Sequence, residues 1–346
     1  MRLVSGMAME RVSDALFRIA RWRRQLRQIA GDPLALEPRV QPHAEQLGFV
    51  HVYVAEEIGE TARWLSSPAY AREAAKHDPI DTCHLAIDHF HAFLETADPA
   101  AREDFVAISR GLLEAGRTVE LGGRTCFVIP HFDQVEGYAR HATPWINAMV
   151  QGWVGAVLAR AHQVTGEDGF AEAARRAVGP CFVPLANGGV RDLEQNGRVF
   201  YEKYALPGQT RHVLNGFMSS LLGIWDVARA TGDRDARVAF EEGVASLDDQ
   251  VLGTYDNGHT SLYEQRGDLR ATPSCVFYTW VHARQLASLA RITDQPRLLS
   301  WAERWRGYSH GTEHRARTAL ECLGYRARNL PRYLGLDRAP DAAGPS

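Results

Sequence analysis

The chain has 346 residues, of which 45% are hydrophobic and 23% are charged, values typical of a folded protein with a self-sufficient core. Its formal net charge is -3, so the overall charge provides no general attraction to nucleic acid, and an acidic polymer would need a local basic surface. The five cysteines are widely spaced and never form a CxxC pair, which predicts reduced thiols and a cytoplasmic protein, with neither a disulfide framework nor a metal site.

An amphipathic stretch with many arginines lies near the start of the chain, at residues 11–27. Its apolar residues recur at helical spacing and arginines occupy many of the other positions, which predicts a helix that packs on the body and exposes a basic face. Weak docking to a membrane surface or to a partner through this stretch is the alternative. We treat residues 1–45 as an N-terminal helical extension, and we expect no signal peptide and no membrane-spanning segment.

A turn that begins with threonine recurs three times, at Thr165-Gly166, Thr231-Gly232 and Thr293-Asp294. The threonines lie 66 residues (165 to 231) and 62 residues (231 to 293) apart. Each turn follows a long apolar segment and precedes a second helical segment, with Gly or Asp as the stop signal and an acidic residue as the start signal. The sequence therefore predicts a helix hairpin repeated three times, and helical signals near 79–96 and 100–115 add another pair.

Turn-forming dipeptides lie between the predicted helix pairs, at Gly122-Gly123, Asn196-Gly197 and Asn257-Gly258. Such dipeptides adopt positive φ readily and favour the tight turns of two-stranded hairpins. The alternating order predicts a mainly α fold, an (α/α) toroid of repeated helix hairpins with short β-hairpins at one end. We assign the toroid to residues 46–335 and expect a disordered tail at 336–346.

A polar residue recurs near the start of the first helix of each pair, at nearly the same distance before the threonine turn. In a toroid these helix starts lie around one opening. These residues are Gln151, Asn215 and Tyr278. The predicted hairpins add further hydrogen-bonding and charged side chains, namely Tyr201, Glu202, Lys203, Tyr204, Tyr263 and Arg266. Taken singly, these residues are typical of helix ends and half-buried strands. Their convergence at one mouth indicates a site for a carboxylated carbohydrate.

Four segments, in chain order, resemble the C-terminal domain of the D-glucuronyl C5-epimerases of heparan sulfate and heparosan biosynthesis. They are WINAMVQGWVGAVLARA, FYEKYALPGQTRHVLNGFMSSLLGIWDVARATGD, YDNGHTSLYEQR and FYTWVHARQL, within about residues 144–308. The resemblance implies an (α/α) toroid with its active site at one end. It also implies an isomerase that converts D-glucuronate to L-iduronate residues in a polysaccharide, without a cofactor.

The resemblance also implies roles for single residues. Tyr204, Tyr263 and Tyr278 match the three tyrosines that are the family's main catalytic candidates. Positions near the substrate in the family are matched by Gln151, Glu202, Asn215, Arg266 and His282. The chain departs from the family's Tyr-Glu-Glu-Tyr motif at Lys203, which replaces the second glutamate, and at Ala205, where the family favours proline. The lysine puts the identity of the polymer substrate in doubt.

Epimerisation removes the proton at C5 of the uronate and returns a proton to the opposite face. The carboxylate is already negative, so Lys203 and Arg266 are candidates to meet the second charge that develops on it. A tyrosine can exchange the proton if a neighbouring cation lowers its pKa from about 10. We assign Tyr204 or Tyr263 to one face and Tyr278 to the other, with Lys203 as an alternative base.

Two other functions fit the same residues. A polysaccharide lyase would abstract the same C5 proton and then expel the substituent at C4. A non-catalytic glycan-binding toroid would hold the polymer without chemistry. In every case the expected partner is a uronic-acid-containing polysaccharide and not nucleic acid, and pairing of two copies of the chain is a further possibility.

Overall fold

The computed structural model describes residues 25, 29–35, 79–132, 135, 141–193, 197–206, 208–247, 249–266 and 269–333. In these ranges the chain forms ten α-helices and three separate two-stranded sheets. The basic stretch 11–27 apart from Gln25, the first part of the predicted toroid at 46–78 and the predicted tail 336–346 lie outside the described residues. No helix in the described ranges is both long and apolar enough to cross a membrane.

Eight of the helices form four successive pairs within the described part of the chain. Their bounds are α1 Pro79–Thr96 with α2 Pro99–Ala115, α3 Ala148–Thr165 with α4 Asp168–Ala177, α5 Leu214–Thr231 with α6 Arg234–Ser246, and α8 Val276–Thr293 with α9 Pro296–His310. A short helix, α7 Asp249–Thr254, and a closing helix, α10 Thr312–Tyr333, complete the set. The pairs agree with the predicted helix hairpins, including the pair upstream of the three turns.

The first helices of the pairs form the inner layer of the fold. Helices α1, α3, α5 and α8 pack side by side in chain order, and each is covered by its own partner. Helices α3 and α5 are buried on almost every face, whereas α4 and α6 bury one stripe. A helix that is apolar all round is expected in the interior, and an amphipathic one at the surface. The architecture is therefore the predicted (α/α) toroid of repeated helix hairpins.

The three sheets are antiparallel hairpins that join one helix pair to the next. Their bounds are β1 Arg117–Leu121 with β2 Arg124–Val128, β3 Arg191–Leu193 with β4 Val199–Tyr201, and β5 Leu262–Arg266 with β6 Leu269–Pro273. Each hairpin lies at the start of an inner helix, so the hairpins share one end of the fold as predicted. The threonine turns lie at the opposite end of those helices.

The third hairpin lies later in the chain than its turn signal predicts. Asn257-Gly258 does not join β5 to β6, so that prediction is wrong. The Asn257 side-chain oxygen accepts hydrogen bonds from the backbone N–H groups of His259 and Thr260, and a single bridge pairs Asp256 with Ser261. The Asn257 side chain therefore closes a local turn by bonding to the backbone of the residues that follow it, and the two strands begin only after that turn.

The repeated turns share one chemistry. The hydroxyls of Thr165, Thr231 and Thr293 each donate to the carbonyl oxygen four residues earlier, at distances of 2.7, 2.8 and 2.8 Å. The next residue is left-handed in each turn, with φ of 76° at Gly166, 66° at Gly232 and 52° at Asp294. Left-handed residues end helices by turning the chain away from the axis. The threonine turns are therefore equivalent helix stops, which confirms the repeat.

Close packing of α3 on α5 sets the spacing of the inner helices. A Cβ atom at Gly223 would lie 2.2 Å from the carbonyl oxygen of Gly152, so only glycine permits this approach. Further along the same interface, the Arg160 guanidinium donates to the Asp226 carboxylate at 2.7 Å, with both side chains buried. The two contacts fix α3 and α5 relative to each other, and hence the positions of their first turns.

Candidate active site

Three tyrosines from three different elements lie together at the hairpin end of the fold. Tyr204 follows β4, Tyr263 lies in β5, and Tyr278 lies in the first turn of α8. The Tyr263 and Tyr278 rings meet edge to face with centroids 4.7 Å apart. Each of the three residues is partly exposed, although burial of the Tyr263 phenol is extensive. The structure thus brings together tyrosines that are 74 residues apart in sequence (204 to 278).

Lys203 lies among these tyrosines. Its ammonium donates a hydrogen bond of 3.1 Å to the Tyr263 phenol oxygen. The same nitrogen lies 5.2 Å from the centre of the Tyr204 ring and 5.7 Å from that of Tyr263. A cation close to aromatic rings is stabilised by their quadrupoles, more so when it is desolvated, and Lys203 is only 9% exposed. The lysine that departs from the family motif therefore lies at the centre of the tyrosine cluster.

The lysine stem rests on the first turn of α5. A Cβ atom at Gly216 would lie 2.8 Å from the Lys203 Cβ and 3.1 Å from its Cδ. Only a hydrogen at this position of the helix leaves room for the aliphatic part of the side chain. The glycine of the LNGF segment therefore allows Lys203 to extend from α5 toward the tyrosines.

The ionisation of Tyr263 differs from the sequence-based expectation. Burial raises the pKa of its phenol well above the usual value, and the nearby Tyr204 and Glu264 raise it further. A hydrogen bond with Tyr278 and the charge of Arg211 lower the pKa, but by less. The expectation that a neighbouring cation would lower this pKa is wrong for Tyr263, because desolvation of the phenolate outweighs the favourable charges. Tyr263 is a neutral phenol that can donate a hydrogen bond or a proton.

Two buried polar residues lie on α8 and α5, the inner helices that carry Tyr278 and contact Lys203. His282, one turn after Tyr278 in α8, is fully buried, and its Nδ1 lies 2.8 Å from the Ser261 hydroxyl. Burial lowers the pKa of His282 to about 3, so the imidazole is neutral. Among the described residues, neither the His282 Nε2 nor the Asn215 Oδ1 has a hydrogen-bond partner. Buried polar atoms of this kind are expected where a ligand completes the hydrogen bonding.

Other predicted site residues have contacts that are structural. Gln151 is fully buried, and its amide bonds to the backbone of Phe127, Ile129 and Ala177. The Tyr201 hydroxyl donates to the Ala239 carbonyl at 2.7 Å. These side chains join neighbouring elements of the fold. Substrate binding by Gln151 and Tyr201 has no support from their contacts in this structure.

Glu202 and Arg266 complete the predicted set. Glu202 is fully buried behind Lys203, and its Oε1 accepts from the His212 backbone N–H at 2.9 Å. Burial raises the pKa of this carboxyl to about 7, although the nearby His212 opposes the shift. Arg266 is the last residue of β5, and its side chain lies outside the described part of the structure.

A cavity that the sequence did not single out adjoins the tyrosine cluster. Its volume is about 690 Å³, and residues of β1 and β2, of the 141–146 segment and of the chain after Tyr204 line it. Trp145 lies in this wall, 5.6 Å from the Tyr204 ring and stacked on His131 at 4.4 Å. In the sequence, Trp145 is the first residue of the first of the four segments that resemble the epimerases, and this position could have pointed to it.

The comparisons with known proteins now bear on this geometry. The family model of the D-glucuronyl C5-epimerase C-terminus matches residues 126–307. This chain belongs to that family. The matched range contains every residue of the tyrosine cluster.

Two curated relatives and one solved structure are also similar. The D-glucuronyl C5-epimerase of Caenorhabditis elegans is 32% identical over 183 residues, which cover 48% of this chain and 29% of that protein. An uncharacterized protein of Methanocaldococcus jannaschii is 28% identical over 165 residues, covering 47% and 52%. The chain thus spans about half or less of these relatives' lengths. The unsaturated glucuronyl hydrolase of Bacillus sp. GL1 is 13% identical with a TM-score of 0.47, covering 82% of each chain.

Proposed function

We propose that this member of the epimerase family is a uronate C5-epimerase that converts D-glucuronate to L-iduronate residues within a polysaccharide. The observation that carries the proposal is the contact between Lys203 and the phenol of Tyr263, in a cluster with Tyr204 and Tyr278. Proton-exchanging groups and a cation then converge where a uronate carboxylate can bind. The name of the Caenorhabditis elegans relative supports D-glucuronate as the sugar.

The first step takes the C5 proton to a base and leaves a carbanion delocalised into the carboxylate. The carboxylate then carries a second negative charge, which is the main barrier to the reaction. Lys203 has the charge and the donor group to stabilise it, and its low exposure strengthens the interaction. Arg266 is the second cation that we assign to the carboxylate, from its position at the end of β5.

The second step returns a proton to C5 from the opposite face. We assign this donation to Tyr263 in the direction that starts from glucuronate, because its raised pKa keeps it protonated before the reaction. Tyr204 or Tyr278 takes the first proton, with Lys203 as the alternative base. After one turnover the base holds an extra proton and Tyr263 lacks one. The hydrogen bonds of Tyr263 to Lys203 and Tyr278 provide a route that resets both groups.

The neighbouring cavity supports a polymeric substrate. Its volume of about 690 Å³ lies within the range of ordinary small-ligand sites, so it can hold a sugar unit beside the reacting one. Arg117, His141 and Gln209 provide polar groups in an otherwise apolar wall. We also propose a cytoplasmic location, which the reduced state of the five cysteines supports.

The experiment that tests the proposal is hydrogen exchange at C5. Non-sulfated glucuronate polymers are incubated with the protein in heavy water, and C5 is followed by NMR. The epimerase proposal expects deuterium at C5 together with new iduronate signals. An unsaturated product that absorbs ultraviolet light would identify a lyase instead. Saturable binding of the polymers without exchange at C5 would identify a glycan-binding toroid.

A further inference from the structure

We propose that Asp192, Glu202 and His212 form a binding site for one divalent transition-metal ion. Asp192 lies in β3, Glu202 directly follows β4, and His212 lies two residues before α5. The His212 Nε2 is 2.8 Å from the Asp192 Oδ2 and 3.4 Å from the Glu202 Oε1. One potential ligand atom from each residue lies within 4.8 Å of the others.

These separations suit a metal ion without a change of backbone. Zinc binds nitrogen and oxygen ligands at about 2.0–2.2 Å, so two ligands of a tetrahedral site lie about 3.4 Å apart. The distance from His212 Nε2 to the Glu202 Oε1 equals that value, and the distance to the Asp192 Oδ2 is about 0.6 Å shorter, as expected for a direct hydrogen bond between the two side chains. A metal ion would replace that hydrogen bond.

The Glu202 carboxylate provides an independent observation. The residue has no exposed surface, and its Oε2 has no hydrogen-bond partner among the described residues. The other oxygen already accepts the His212 backbone N–H. A buried carboxylate oxygen without a partner costs free energy, and a cation at the centre of the cluster would offset that cost.

The ligand set selects the class of metal. One imidazole nitrogen and two carboxylates, without a thiolate, suit Zn²⁺, Co²⁺ or Mn²⁺ better than the all-oxygen coordination that Ca²⁺ and Mg²⁺ prefer. The side chains of His212 and Asp192 are 18% and 27% exposed, whereas that of Glu202 is buried. The open side admits the ion and leaves room for water to complete the coordination.

The position of the site indicates a positioning role. Lys203 follows Glu202 directly, and Asn215 of α5 lies three residues after His212. A metal ion would join β3, the end of β4 and the entry to α5. It would hold in place the backbone next to Lys203 and take no part in proton transfer. The inference does not depend on which reaction the tyrosines catalyse.

The sequence predicts no metal site, because no pair of these ligands has the short spacing of a local metal-binding motif. The three ligands are spaced by ten residues each, and they meet only because the β3–β4 hairpin and the following loop fold against one another. Their separation in sequence explains why the pattern is invisible before the fold is known.

The test is metal binding by the full chain after removal of any affinity tag and dialysis against chelator. Titration with Co²⁺ should give one equivalent of binding with visible d–d absorption, and Zn²⁺ should displace the cobalt. Asp192→Asn and His212→Phe should each weaken binding by about 100-fold, since the loss of an outer-shell partner alone costs 10–100-fold. His212→Phe keeps the ring that packs on Phe200 at 4.5 Å.

His259→Phe is the matched control. His259 pairs with the Glu321 carboxylate at 2.7 Å and belongs to no three-residue cluster of metal-ligating groups in the described part of the chain. Its loss should leave Co²⁺ affinity unchanged. X-ray absorption on the zinc-loaded wild type checks the ligands without any variant and should show imidazole and oxygen without sulfur. No binding by the wild type, equal binding by the ligand variants, or sulfur ligation would each overturn the proposal.

Discussion

The ammonium of Lys203 lies 3.1 Å from the phenol oxygen of Tyr263. A positive charge therefore stands beside a phenol whose pKa is raised by burial. In the mechanism that we propose, the cation stabilises negative charge on the substrate carboxylate and on the phenolate that forms when Tyr263 gives up its proton. That mechanism uses Tyr263 as the proton donor and requires a base on the opposite face of the sugar.

Removal of the lysine charge tests this arrangement. Lys203→Met keeps a long apolar stem over Gly216 but deletes the ammonium, so we expect kcat/KM for C5 exchange to fall by about 100-fold or more. Arg124→Met is the control, because the Arg124 guanidinium lies 4.5 Å from the Phe182 ring centre in a comparable contact outside the cluster. Equal activity of Lys203→Met and wild type would remove Lys203 from the mechanism.

Deletion of single phenols separates the two faces of the sugar. Tyr278→Phe and Tyr263→Phe keep their edge-to-face packing but lose the proton carrier, and each should reduce epimerisation by about 10²–10⁴-fold. If the two residues serve opposite faces of the sugar, each variant retains some C5 exchange with only one of the two epimers as substrate. The epimer that still exchanges should differ between the two variants. NMR in heavy water, starting from glucuronate and from iduronate polymers, measures both rates.

Tyr308→Phe controls for the loss of a buried hydroxyl. Tyr308 in α9 bonds to Asp256 and accepts from Arg304, away from the cluster. Its phenylalanine variant should keep wild-type exchange. Full exchange from both epimers in Tyr278→Phe and Tyr263→Phe would disprove the assignment of these phenols.

Gly216, which contacts the Lys203 stem, provides a test that changes none of the candidate catalytic residues themselves. In Gly216→Ala the new methyl group would lie 2.8 Å from the Lys203 Cβ, so the lysine stem must move and its ammonium should leave Tyr263. We expect a loss of C5 exchange of about tenfold or more, since misplacement by about 1 Å can cost 100-fold. A crystal structure of the variant checks the displacement directly.

Gly307→Ala is the matched helical control. No atom lies within 4 Å of a Cβ built at Gly307, which is exposed in α9. Alanine should raise stability there by up to about 1 kcal/mol, because it is the better helix former, and activity should not change. Wild-type kinetics in Gly216→Ala would show that the lysine position does not matter.

Buried His282 makes stability depend on pH. Its native pKa of about 3 lies below the unfolded value of 6.5, so between these pH values the unfolded chain binds a proton that the native chain does not. Acidification in this window therefore favours unfolding, with a slope of up to about 1.4 kcal/mol per pH unit. Urea unfolding between pH 4 and 7 should show a shallower dependence in His282→Gln than in the wild type. Identical slopes would contradict a neutral buried imidazole.

The ion pair between α3 and α5 should be a sensitive point of the fold. Asp226→Ala leaves the Arg160 guanidinium in a fully buried position without its carboxylate, which should cost about 3–5 kcal/mol in the free energy of unfolding. Glu167→Ala removes the partner of Arg110 in a pair whose side chains are 47% and 48% exposed, and should cost no more than about 1 kcal/mol. Chemical denaturation measures both. Similar losses in the free energy of unfolding would mean that the buried ion pair contributes no more stability than the exposed one.

Much of the architecture was predictable because its signals are local. The turns after Thr165, Thr231 and Thr293 combine a hydroxyl that bonds back into the helix with a residue that tolerates positive φ, and both properties depend only on neighbours in the chain. Asn257-Gly258 shows the limit of such reasoning. It did form a turn, but strand pairing beyond it depended on which residues met across the sheet.

The residues predicted for the site differ in the contacts that they make in the fold. Sequence reasoning named Tyr204, Tyr263, Tyr278 and Lys203 together, and the fold places them in contact. It also named Gln151 among the substrate-binding residues, where the fold occupies the amide with backbone groups. A polar residue near a helix start has the same sequence signal whether it faces a ligand or a neighbouring element.

The sequence by itself determined the helix repeat, the family and the residue types that gather at the hairpin end, because periodicity, turn chemistry and motifs are carried by residues close together in the chain. The tertiary structure alone decided that Tyr263 is a neutral phenol, that Gly216 makes room for Lys203, and that Asp192 meets His212. These properties arise from desolvation, excluded volume and charge between residues of different elements. Each of these acts through space over a few ångströms, and only the packed fold sets those distances.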